Sequence, residues 1–119
     1  MENELQKRIF EFVVEVIKLV RKLPDTQEYY IIKNQLVKSS SSTGANYEEA
    51  QAASSRADFI YKNEISLKEM RESNYWLRLI KAIGSESKIN VVKLDQLVNE
   101  SNELKLILGS IVSKTKKNK

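Results

Sequence analysis

Four stretches of this 119-residue chain carry apolar residues at alternating steps of three and four. That spacing is the period of a helix buried along one face; a half-buried strand would alternate every second residue. The first stretch runs Leu5, Ile9, Phe12, Val16, Leu19 and Leu23, with a second set, Phe10, Val13, Ile17 and Val20, beside it. Together the two sets cover about 180° of the helix, wider than the roughly 100° stripe that one core face requires. Such a helix either sits deep in a bundle or offers its spare apolar edge to another subunit. Pro24 ends it, and Asp25 with Glu28 forms a capping-box pattern that opens the next helix.

The second stretch steps through Tyr29, Ile32, Leu36, Ser40, Thr43, Tyr47 and Ala50. Propensity alone would break it at SSSSTGAN, where poor helix formers crowd together. The three-four steps nevertheless continue through that segment, which favours one helix over a helix with a break at 39–46. Its small side chains would admit a neighbouring helix closely, with Ser hydroxyls bonded back to carbonyls one turn earlier. Ser54 and Ser55 are good caps for the third helix, with Asp58 in its first turn. That helix has two apolar faces, one with Phe59, Ser66, Met70, Leu77 and Ile80, the other with Ile65, Glu72, Trp76, Leu79 and Ile83. Gly84 is a natural C-cap before a polar turn at 85–88, and Asn90 can cap the fourth helix. Leu94, Leu97, Ser101, Leu104, Leu108 and Ile111 form the fourth stripe. Gly109 costs about 1 kcal/mol inside a helix relative to Ala, so it marks a candidate close approach.

The spacing therefore predicts helices over roughly 3–23, 26–53, 55–83 and 91–113, in one domain spanning 1–113, with 114–119 as a basic flexible tail. Short connections between amphipathic helices make the fold class all-α, an antiparallel up-down four-helix bundle.

The same sequence narrows the chemistry. It has no Cys and no His, so thiol nucleophiles, thiolate metal sites and the commonest general base are all missing. Inward-facing Glu residues on facing helices can bind two metals, but the usual site also needs Glu-x-x-His. The expectation is a protein that is not an enzyme, with no cofactor and no small-molecule substrate. The start, MENELQKR, has no basic leader, and no run approaches the roughly 18 apolar residues of a membrane span. A cytoplasmic protein without membrane contact is expected.

Two polar groupings stand out. Glu69 and Glu72 share a face with Trp76, and Glu48 and Glu49 lie on the preceding helix. An unpaired buried carboxylate is costly, so a partly buried cluster is expected in which Glu49, Glu69 or Glu72 meets Arg, Asn46 or a Tyr hydroxyl. Such a cluster would set register and packing. The second grouping is Arg71, Asn74, Arg78 and Lys81, which step along the third helix as a basic strip between its apolar faces. A solvated stripe is the commoner origin of such a pattern; phosphate contact is the functional alternative. Tyr29, Tyr30, Tyr61 and Tyr75 can stack on bases, although core or interface packing is the more usual use of such residues. The net charge of +4 comes from Lys114, Lys116, Lys117 and Lys119: without them 16 basic residues balance 16 acidic ones. This tail is either merely solvated or an arm that touches phosphate. Candidate nucleic-acid contacts are thus Arg71, Arg78, Lys81, Lys114, Lys116, Lys117 and Lys119. Candidate contacts between subunits are Phe10, Val13, Ile17, Val20, Trp76 and Leu79.

The stretch SSSSTGANYEEA, followed by SSRADF and SLKEMRESNYWLRL, resembles the bacterial family of 23S rRNA intervening-sequence proteins, some of whose members are labelled small ribosomal proteins. The matching positions are Ser42, Ala45, Asn46, Glu49, Ala50, Ser55, Asp58, Phe59, Ser66, Leu67, Glu69, Arg71, Glu72, Trp76 and Leu77. Ala50 stands where many members have Gly. The resemblance implies an up-down four-helix bundle assembling as a homopentameric ring, without a catalytic motif. A similar bundle is the basic accessory protein of diversity-generating retroelements, which binds a reverse transcriptase and nucleic acid; this chain lacks that overall basicity. The resulting expectation is a non-enzymatic oligomeric scaffold that binds RNA or an RNA-handling partner such as a reverse transcriptase. The alternative is a structural or protein-binding bundle with no nucleic-acid role.

Overall fold

Residues 3–84 and 89–118 are described by the computed structural model, and they form four helices. These are α1 (Glu4–Val20), α2 (Gln27–Gln51), α3 (Arg56–Ile83) and α4 (Val91–Lys117). Among the described residues there is no strand. Each start is fixed by a side chain that accepts an otherwise unpaired amide: Asn3 from Gln6, Thr26 from Tyr29, Ser55 from Asp58 and Asn90 from Lys93. At α2 the cap is Thr26 rather than the expected Asp25, whose carboxylate instead pairs with Lys33 Nζ at 2.9 Å. Glu28, in the first turn, is held below its usual pKa by its backbone amide and then by Thr26.

Pairs of contacting residues show the chain direction. Asn3 meets Gln51, Ser66 meets Thr43, Asn74 meets Ser101, and Arg8 meets Glu100. Along each interface the partners run in opposite order. Asn3 meets Gln51 while Val13 lies beside Gly44, and Glu49 meets Lys62 while Ser39 meets Ser73. Glu64 meets Lys116 while Lys81 meets Asp95, and Arg8 meets Glu103 while Glu15 meets Lys93, so all four interfaces are antiparallel. Packing joins α1 to α2, α2 to α3, α3 to α4 and α4 back to α1 in a rod of 50 × 24 × 19 Å.

The core follows the predicted stripes. Ile9, Phe12, Val16, Leu36, Met70, Leu77, Ile80, Leu94, Leu104 and Leu108 are almost completely buried. Each such side chain contributes about 1.5–3 kcal/mol relative to an exposed position. α1 stops at Val20, three residues short of the expected end, yet Leu23 still folds back into the core from the following turn. The second face of α3 is only half-buried at Ile65, Glu72, Trp76 and Leu79, and Ile83 is exposed.

The serine-rich segment is continuous helix and lies in the most extensive interface, α2 against α3. Ser39, Ser40, Thr43, Ser66 and Ser73 are fully buried there. Ser73 donates to the Glu69 carbonyl at 3.0 Å, and its oxygen lies 2.7 Å from Ser39 Oγ and 3.1 Å from Ser40 Oγ. Ser66 donates across the interface to the Thr43 carbonyl at 2.9 Å, and Thr43 donates back to the Ser39 carbonyl at 3.0 Å. Hydroxyl pairing inside the seam satisfies groups that would otherwise be costly to bury, and the missing side-chain bulk lets the helices approach.

Two further expectations change. α4 runs to Lys117, so Lys114, Lys116 and Lys117 belong to its last turn and not to a separate tail. The negative end of the helix dipole favours cations there. Gly109 is no close approach, since a Cβ placed on it would meet nothing within 4 Å. Gly84 does follow α3, with φ −85° and not in a left-handed conformation. The expected turn at 85–88 lies outside the described residues.

Candidate nucleic-acid interface

The basic strip of α3 reaches solvent along the seam with α4. Asn74 is nearly fully buried between the two helices and donates through Nδ2 to Ser101 Oγ at 2.8 Å and Asn102 Oδ1 at 3.1 Å. Those partners fix the amide so that Oδ1 points back toward α3, where it accepts from Arg78 Nε at 2.9 Å. The Arg78 guanidinium carbon in turn lies 5.9 Å from the centre of the Tyr75 ring, within cation–π range. Tyr75 meets Trp76 edge to face at 5.0 Å between centroids.

Beside this arrangement is a groove of about 580 Å³ lined by Arg71, Asn74, Arg78, Lys105, Leu106 and Gly109. Its lining holds three cations and no carboxylate. Among the described residues, none of Arg71, Arg78 and Lys105 takes part in an ion pair. The bare Gly109 backbone leaves one side open. Arg78, preset by Asn74, and Arg71 beside it are unneutralised guanidinium groups on an open trough and suited to phosphate, because Arg presents a planar fork of donors to its oxygens.

The remaining sequence candidates separate from this group. Lys81 pairs with Asp95 at 2.8 Å, and Lys116 with Glu64 at 2.8 Å. Lys114 and Lys117 are exposed at the end of α4, where Arg56 also donates to the Thr115 carbonyl. Lys119 lies outside the described residues. Tyr29 is in the core, whereas Tyr30, Tyr61 and Tyr75 are exposed, Tyr75 at 48%.

The four polar residues expected to cluster do not form one group. Asn46 donates to the carbonyl and hydroxyl of Ser42, and Glu69 is hydrogen-bonded to the same Ser42. Glu49 turns outward to Lys62 at 3.1 Å, which raises the pKa of Lys62. Glu72 accepts from Trp76 Nε1 at 3.2 Å. Partial burial, then the neighbouring charge of Glu72, raises the pKa of Glu69. The expected partners Arg and Tyr are absent from these contacts because Glu49 sits on an exposed face and Glu72 bonds within its own helix. Among the described residues, no three acidic side chains are grouped so as to hold a metal ion.

The candidate subunit contacts lie on two helices. Phe10 is 57% exposed, and Val13, Ile17, Val20, Trp76 and Leu79 are half-buried against the core rim. Across the α1/α4 interface the helices are tied by ion pairs: Arg8 reaches Glu100 at 2.7 Å and Glu103 at 2.8 Å, and Lys93 reaches Glu15 at 3.1 Å. Those carboxylates, Glu100 first, raise the pKa of Arg8 further. No described helix is long and apolar enough to cross a membrane.

Lys105 and Gly109 were not among the sequence candidates. They stand at successive turns of α4, but only the Asn74–Ser101 register brings them opposite Arg71 and Arg78. No single-chain pattern reports that register.

A family model described as 23S rRNA-intervening sequence protein matches residues 1–110. A crystal structure of a protein of unknown function from the S23 ribosomal protein family of Bacteroides thetaiotaomicron is 34% identical. The match covers 91% of this chain and 97% of that one, with a TM-score of 0.78. No curated protein matches.

Proposed function

Since the chain belongs to the 23S rRNA-intervening sequence protein family, we propose that it is a non-enzymatic, self-associating scaffold that binds RNA phosphates along the α3/α4 groove. One observation carries this reading: Arg71, Arg78 and Lys105 converge on a trough that contains no carboxylate. Three cations around one trough whose lining holds no carboxylate give a polyanion a local gain on contact. Buried Asn74 sets the direction of Arg78 before any ligand arrives, which lowers the ordering cost of binding. Lys114 and Lys117 provide a second, weaker cationic patch at the end of α4.

Self-association follows from the spare apolar edge of α1. Phe10, Val13 and Ile17 present more apolar surface than the core covers. Because α1 packs on α2 and α4 but not on α3, an assembly through α1 leaves the groove open. Copies held in a ring, a pentamer by family resemblance, would present several grooves to one RNA and raise its avidity.

The test is an RNA titration of the wild-type protein, an Arg71→Glu/Arg78→Glu variant and a Lys114→Glu/Lys117→Glu variant. The groove variant is expected to bind at least about tenfold more weakly, since each lost bond to a charged group is worth roughly 1.5–3 kcal/mol. The α4-end variant should lose less. Equal affinity for wild type and groove variant would remove the groove from the reading. A wild-type protein that self-associates yet binds no RNA would favour a purely structural or protein-binding bundle.

A further inference from the structure

Phosphate contact alone would not distinguish an RNA duplex from a single strand, yet the groove's edge carries a feature that does. Tyr75 and Arg71 are one turn apart on α3, and Arg78 is next along the same row. Arg78 thereby serves two surfaces at once, lining the groove and lying over the Tyr75 ring. Its position is held by the buried Asn74 amide and not by a carboxylate that would neutralise it. Tyr75 is nearly half exposed, and its only ring partners among the described residues are Arg78 and the edge-on Trp76. A rigid aromatic ring left open beside a cation is poorly used as surface and well used as a stacking platform.

We infer that the groove selects single-stranded RNA, with an unpaired base stacking at the Tyr75–Arg78 pair while Arg71 and Lys105 hold the adjoining phosphates. This rests on the phosphate-binding reading above and adds the form of the ligand to it. A duplex presents phosphates but keeps its base faces inside its own stack, so it gains only the charge interaction. An unpaired base exposes a π-face that aromatic and guanidinium planes can cover whatever its sequence. Exposed Leu106, on the opposite wall, supplies an apolar surface against which the sugar or base edge can rest.

The experiment compares a short unstructured RNA with the same strand annealed to its complement, against the full-length wild type, Tyr75→Ala, Tyr75→Phe and Arg71→Glu/Arg78→Glu. The wild type is expected to prefer the single strand. Tyr75→Ala should weaken single-strand binding by about five- to hundredfold, the usual range for one stacked base, and leave duplex binding unchanged. Tyr75→Phe, which keeps the ring, should behave as wild type and shows that any loss in Tyr75→Ala is not a general structural one. Equal affinity for both RNA forms, or no effect of Tyr75→Ala while the double Arg variant still loses binding, overturns the stacking inference and leaves the phosphate reading standing. No binding of either RNA overturns both.

Discussion

A buried amide with both ends occupied can point in only one direction, and Asn74 uses that restriction to aim Arg78. Glu69 shows the opposite case, a carboxylate whose surroundings work against its charge. Partial burial and the nearby Glu72 raise its pKa, so the folded protein holds that proton more readily than the unfolded chain does. Stability on this account falls as pH rises from the ordinary glutamate range through the raised folded pKa, and the cost is fully present above it. Glu69→Gln keeps an acceptor for Ser42 and removes the charge. Thermal melts should show Glu69→Gln slightly more stable than wild type at pH 7, with the difference shrinking as pH falls through the raised folded pKa and gone below the ordinary glutamate range. A variant less stable than wild type at pH 7 would mean that Glu69 gains more from Lys38 and Lys68 than it loses by burial.

At the scale of elements, the α2/α3 seam needs small residues and α4 does not. Gly109 has open space where a Cβ would stand, so its flexibility is a cost without a packing return. Gly109→Ala should stabilise the protein by about 1 kcal/mol, read as a higher midpoint in urea unfolding. Unchanged or lower stability would show that the backbone there meets something the monomer does not contain. The helices themselves were legible from the chain, because their signals are local. Ser55 and Asn90 cap helices where their side chains can reach the third residue on, and the stripes through Phe12, Leu36, Leu77 and Leu104 are buried as their spacing requires. The cap of α2 was less legible, since Asp25 and Thr26 are adjacent and either can serve; Asp25 pairs instead with Lys33, two turns into the same helix. Persistence of the helix through SSSSTGAN is a tertiary effect, dependent on Ser66 and Ser73 of another helix. Half of the candidate interface was legible for the same reason that the other half was not. Arg71 and Arg78 repeat along one helix, whereas Lys105 joins them only through the register of α3 on α4. Glu49 misled, because sequence proximity to Asn46 says nothing about which face meets Lys62.

On the scale of the whole molecule, the proposed RNA groove and the proposed subunit contact at Phe10 use different helices. The cationic groove belongs to α3 and α4, and the uncovered apolar edge to α1, diagonally across from α3. Light scattering at micromolar concentration should therefore report a multiple of the 13.7 kDa chain mass, and Phe10→Glu should reduce it toward one chain. A wild-type monomer would contradict the self-associating scaffold while leaving the groove intact. The most direct measurement of the central claim is the salt dependence of RNA affinity. Three phosphates neutralised per groove give a slope of log affinity against log salt of about −2 on a single strand. Arg71→Glu/Arg78→Glu should flatten that slope. A wild-type slope near zero, or one that the double substitution leaves unchanged, would contradict phosphate binding in the α3/α4 groove.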